Sequence, residues 1–210
     1  MGLDWNPAGK PRPGHEAEFW RLFDALGQDS CPDLEAKQQR FHEIAISAFE
    51  TLRAPRIGID PEATEWARQR YSEQKAEKPL EAWLADLHGI YVVPLVRPCD
   101  GVPRYTNGSV TGYVEPYSFR AQFLVDAEYI LGTDLLNEGW EHKRPAQLRA
   151  HGLALRKAAI TYGRQHGIEV LAIKDPEDPD TVEFHLDVIL AASRWCLFWA
   201  AHGHPLEAYW

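Results

Sequence analysis

With 210 residues, 45% hydrophobic and 25% charged, the chain has a globular composition and enough length to bury a core without disulfides or metals. Its formal net charge of −9 argues against nucleic acid or an anionic membrane surface as partner, since either calls for a clustered basic face. Cys31, Cys99 and Cys196 lie far apart with no CxxC pair, and MGLDWNPAGKPRPG at the start lacks the apolar core of a signal peptide. The expectation is a cytoplasmic protein.

Residues 1–13 carry Pro7, Pro11 and Pro13 and read as an irregular N-terminal arm that either docks through Trp5 or stays mobile. One globular domain is expected over 14–210. Phe19, Leu22, Phe23 and Leu26 recur at helical spacing and predict a helix over 14–27, and a second helix follows over about 32–53 with Leu34, Phe41, Ala45, Ala48, Phe49 and Leu52 on one side. Asp60-Pro61-Glu62 opens a helix to about residue 75, and Leu80, Trp83, Leu84 and Leu87 mark another that Gly89 stops. Ile90 to Val93 are β-branched or aromatic and read as a short strand before Pro94. Asn107-Gly108 is a two-residue hairpin signal, so a small antiparallel hairpin or sheet is expected around residues 90–114.

Helix resumes near Tyr117 and runs to about Trp140, loosened at Gly132; Pro145 opens the next, to Gly167. Residues 169–173 read as one more short strand. From Asp178-Pro179 to Ala201 the chain is apolar nearly all round, the mark of a helix at the centre of the fold. The fold class is therefore mainly α (α+β): a single helical domain of six or seven helices with a small antiparallel sheet.

The stretch VPRYTNGSVTGYVEPYSFR, residues 102–120, follows no helical period. Arg104, Tyr105, Asn107, Tyr113, Glu115, Tyr117 and Arg120 there combine flat hydroxylated rings with forked donors, the fittings of a binding surface. The plainer reading is a hairpin whose tyrosines cap the core and whose arginines pair with acids. On a helix begun near Phe119, Asp126 falls beside the apolar residues, either as a catalytic or ligand-orienting acid or as an internal partner for an arginine or a tyrosine. Asp134, Glu138 and His142 lie four apart, so on a continuous helix Glu138 and His142 are candidate metal ligands, or else part of a solvated charged stripe. His151 and His185 read as satisfied core histidines, and Cys196 as an inert core thiol.

Glycine-rich phosphate cradles and a Gly-x-Ser-x-Gly elbow are absent from the sequence, and no cofactor is implied. The expectation is a binding or interaction protein that uses residues 102–120 to take a small anionic ligand or a basic protein partner, as an inhibitor or immunity-type protein would. The alternative is a metal-assisted or acid–base enzyme using Glu138, His142 or Asp126.

Overall fold

In the computed structural model, which describes residues 2–27, 32–74, 78–96, 117–174, 176 and 178–210, the N-terminal arm is a pair of strands. The chain divides into two units, Met1–Ala48 with Cys99–Trp210, and Phe49–Pro98. In the first, β1 (Asp4–Pro7), β2 (Lys10–Pro11), α1 (Glu16–Leu26), α2 (Leu34–Glu43) and β3 (Ala45–Ile46) are followed by α3 (Ala48–Thr51) at its border. After the second unit come α6 (Glu128–Leu131), α7 (Thr133–Asn137), α8 (Pro145–His166), α9 (Val182–Ala201) and β4 (Leu206–Tyr209).

α9 is the centre of the first unit, as its composition predicts: Leu186, Val188, Ile189, Ala192, Trp195, Cys196 and Trp199 are all buried. Thr181 starts it, its hydroxyl accepting from the Phe184 N–H at 3.3 Å. α9 is long and apolar enough to cross a membrane, yet over half of it is buried inside the fold. α8 runs from Pro145 at its first position to Gly167, whose left-handed φ of 70° ends it. The two helices approach closely at Gly152: a Cβ there would lie 2.8 Å from the Cys196 Cβ, and the Ser193 hydroxyl donates to the Gly152 carbonyl at 2.7 Å.

β1 pairs antiparallel with β4, Asp4 opposite Tyr209 and Pro7 opposite Leu206. On its other edge Trp5 and Phe119 exchange backbone hydrogen bonds of 2.8 and 3.0 Å. Trp5 is fully buried against Phe119, Trp195 and His151, with ring centroids 5.3 to 5.9 Å apart, and its indole N–H donates to the Gly139 carbonyl at 2.7 Å. Full burial of an indole is among the larger apolar contributions a single residue makes.

Four expected elements differ, one of them the strand over 90–93, which is a single bridge at Tyr91 running into a 3₁₀ turn. The helix over 32–53 breaks after Glu43 because Ile44 and Ala45 turn inward and β3 pairs with β2, the Arg12 N–H donating to the Ile44 carbonyl at 2.8 Å. The helix over 117–140 is a series of short turns, 3₁₀ at Ala121–Leu124, then α6, a break at Gly132 (φ 76°), α7, and 3₁₀ again at Glu138–Trp140. Residues Val170–Ala172 form a 3₁₀ turn where a strand was expected. The expected hairpin at Asn107-Gly108 lies outside the described residues.

The second unit contains α4 (Pro61–Gln74) and α5 (Leu80–Asp86), packed around Ile57, Ala63, Ala67 and Val92 with Trp66, Trp83, Leu84 and Leu87. The extended run at 90–92 bonds to 55–57 (Ile57 N–H to Ile90 carbonyl, 3.0 Å; Val92 N–H to Pro55 carbonyl, 2.8 Å) and closes as a 3₁₀ turn at Val93–Leu95. Six helices of seven residues or more are thus present among the described residues, with two short antiparallel strand pairs. The protein is mainly α-helical.

Candidate functional site

Of the residues singled out in 102–120, Arg104, Tyr105, Asn107, Tyr113 and Glu115 lie outside the described residues. Tyr117 and Arg120 are fastened to the fold: the Tyr117 carbonyl accepts from the Trp195 indole at 2.8 Å, and Arg120 Nε donates to Asp4 Oδ1 at 3.0 Å, both side chains about one-third exposed. Asp126 corrects its sequence reading. It is exposed, because the 3₁₀ turn ahead of α6 replaces the continuous helix on which its angle was counted.

The same broken helix separates Glu138 from His142. Glu138 Oε2 meets His151 Nδ1 at 3.1 Å, whereas His142 Nδ1 accepts the Ala208 N–H at 3.1 Å and lies beside Phe23 and Trp210. Among the described residues no three His, Cys, Asp or Glu side chains come together as metal ligands do.

Glu138 is instead the outer end of a buried polar chain. Its carbonyl accepts from Lys143 Nζ, and its half-exposed carboxylate accepts a hydrogen bond from His151 Nδ1–H, so that Nε2 is left as an acceptor. His151 Nε2 and the Trp199 indole N–H are buried with no hydrogen-bond partner among the described residues. Burial pulls the His151 pKa down to about 4, Lys143 adding to the shift and Glu138 opposing it. Burial likewise lowers Lys143 and raises the Cys196 thiol well above its ordinary value. His151 stands edge-on to the Trp5 ring, and the reactive atoms face packed side chains. This is core polarity of the satisfied kind, apart from its two orphans.

A second histidine opens differently. His185, buried on α9, meets the Tyr129 hydroxyl through Nδ1 at 2.9 Å, and Tyr129 is 53% exposed. Its ring meets Tyr162 of α8 edge to face at 5.7 Å and 75°. Between α6 and α8 lies an open groove of about 340 Å³. Ile130, Ala154 and Ala158 form its apolar floor, and Tyr129, Lys157, Thr161, Tyr162 and Gln165 supply its polar groups. Lys157, Thr161 and Gln165 stand one turn apart along α8, a row of donors on one face. Burial raises the Tyr129 pKa, with Tyr162 and Glu183 adding to it, so the phenol keeps its proton.

The i, i+4 row was visible in the sequence as spacing; the Tyr129–His185 contact, 56 residues apart, left no local signal. The chain matches no known family model, curated protein or solved structure.

Proposed function

We propose that the protein is a cytoplasmic binding module whose groove between α6 and α8 takes a small anionic ligand. One observation carries this reading. In a chain with 31 acidic residues against 22 basic, the groove is lined by a lysine, two phenols, a hydroxyl and an amide, with no carboxylate among its described lining residues. A lysine and neutral donors with no carboxylate among the described lining residues favour an anion locally against the field of the whole chain. The acid–base alternative has less support, since Glu138 is engaged with a sealed histidine and Asp126 faces solvent. Residues 102–120 are, on composition, a second recognition surface for a ligand or a basic protein partner.

The test is a thermal-shift titration with benzoate, hexanoate and inorganic phosphate. At about 100 times its Kd a ligand stabilises by about 2.7 kcal/mol, which for a chain of this size raises Tm by roughly 5–10 °C. At least one anion should produce that rise in wild type and not in Lys157→Ala. No rise with any of them, or equal rises in the variant, would remove the groove as the site.

A further inference from the structure

We infer that the exposed flank of α8 away from the groove is a docking face for an acidic amphipathic helix of another protein. This surface is separate from the groove, and the inference stands without it.

α8 carries Arg149, Arg156, Lys157 and Arg164 and not one aspartate or glutamate in its 22 residues, although the chain as a whole has 31 acidic residues against 22 basic. Elsewhere cations lie beside carboxylates: Arg40 beside Glu18, Arg70 beside Glu73, Lys78 beside Asp86, Arg120 beside Asp4 and Arg144 beside Asp24. Arg149, Arg156 and Arg164 are exposed and form no ion pair with a carboxylate among the described residues. Cations set apart from acids in this way leave a local positive charge that an acidic partner can answer.

The spacing gives the kind of partner. Counted at about 100° per residue, Arg149, Leu153, Arg156, Ile160 and Arg164 fall within about 80° of one another, whereas Ala158 and Tyr162 of the groove lie about 120° or more away. Their steps of three and four residues are those of a seam between two helices. Leu153 is 42% exposed and Ile160 half-buried, so apolar side chains alternate with guanidinium groups along about 22 Å of helix. A face that meets only water gains nothing from the leucine. A second helix does, because its apolar residues cover Leu153 and Ile160 while its carboxylates take the forked donors of the arginines. Screening narrows the choice further. Charges in physiological salt act over about 8 Å, so one helix laid along the stripe meets mainly the arginines, whereas a membrane plane or a nucleic-acid backbone extends over the rest of an acidic chain and is repelled there.

Fluorescence anisotropy of the full chain with a fluorescein-labelled peptide of about three Leu-Glu-Glu-Leu-Ala-Glu-Glu heptads tests this. Wild type should bind it at least about tenfold more tightly than a scrambled peptide of the same composition, which keeps the charge and loses the apolar stripe. Arg156→Glu, at the centre of the seam, and Leu153→Asp should each weaken binding by about tenfold or more while leaving the urea midpoint of the chain unchanged, since both positions are exposed. Thr161→Ala, inside the groove, should leave peptide binding as it is. The inference is overturned by an absence of peptide binding, by equal affinity for the scrambled peptide, by undiminished binding in Arg156→Glu and Leu153→Asp, or by tighter binding to a thymidine oligonucleotide or to phosphatidylserine vesicles than to the peptide. None of these outcomes bears on the groove, which the small anions report separately.

Discussion

A histidine, a lysine and aromatic rings meet on each of two sides of α8, and the two sides do opposite things with them. Toward α9 and β1, His151 and Lys143 are sealed beneath Trp5 with one ring nitrogen unpaired. Toward α6, Lys157 and Tyr162 line an open groove, and the buried imidazole, His185, is hydrogen-bonded to the hydroxyl of the exposed Tyr129. Access rather than residue type separates core polarity from a recognition surface here, because the same imidazole that costs stability when sealed becomes usable when one hydrogen-bonded neighbour is exposed.

Substitutions should sharpen that contrast. The largest effect is expected from Trp5→Ala, which empties the space among Phe119, Trp195 and His151 and orphans the Gly139 carbonyl. A loss of about 4–5 kcal/mol in urea unfolding is expected. A loss below about 1 kcal/mol would mean that the arm is not part of the core.

Next in size is the acid response of the sealed side. Burial holds the His151 pKa near 4 in the folded chain, against about 6.5 for an imidazole in water, as in the unfolded chain. The unfolded chain therefore takes up the proton first, and stability is full above about pH 6.5 and drains away as the pH falls toward 4. At about 1.4 kcal/mol per pH unit, the share due to His151 is on the order of 3 kcal/mol. His204 should act in the same direction, its pKa also lowered to about 4 by burial, with its Nδ1–H held by the Ala8 carbonyl. Stability measured from about pH 7 to pH 4 should be flatter in His151→Gln than in wild type; parallel profiles would contradict the sealed environment.

The smallest effect on stability belongs to the groove. Lys157→Ala, at an exposed position, should change unfolding free energy by no more than about 0.5 kcal/mol while removing ligand-dependent stabilisation. A destabilisation of 2 kcal/mol or more would make Lys157 a structural residue and erase the distinction between the two sides.

Much of the helical framework could be read directly, because its signals are local: Pro145 and Gly167 bound α8, Asp60-Pro61 opens α4, and the all-round apolar character of α9 places it at the centre of its unit. For the arm the sequence left two readings, docking through Trp5 or mobility, and the full burial of Trp5 decides for docking. What escaped is non-local. Nothing in Asp4 to Pro7 announces pairing with residues about 200 positions later, and Ala45 belongs to a strand only because β2 arrives beside it. Periodicity counted over 117–140 took as one helix a run that the 3₁₀ turn at Ala121–Leu124, the break at Gly132 and the 3₁₀ turn at Glu138–Trp140 divide; the first of these moved Asp126 and the last separated Glu138 from His142. Tyr129 and His185 needed the packing of α6 on α9 before either meant anything.

The register that sets Asp4 opposite Tyr209 also decides how the protein responds to tension. Paired antiparallel residues lie about 5 Å apart, so the two chain ends emerge side by side, and handles attached to them pull on the same end of the β1–β4 ladder. The load then falls on one rung at a time, opening the pair like a zip rather than shearing all four positions at once. Trp5 lies at the second rung, where the force meets an indole locked between Phe119 and the Gly139 carbonyl. Asp4, at the first rung, is held by Arg120 and Trp5, at the second, by its buried indole, so resistance to peeling is concentrated in these two side chains.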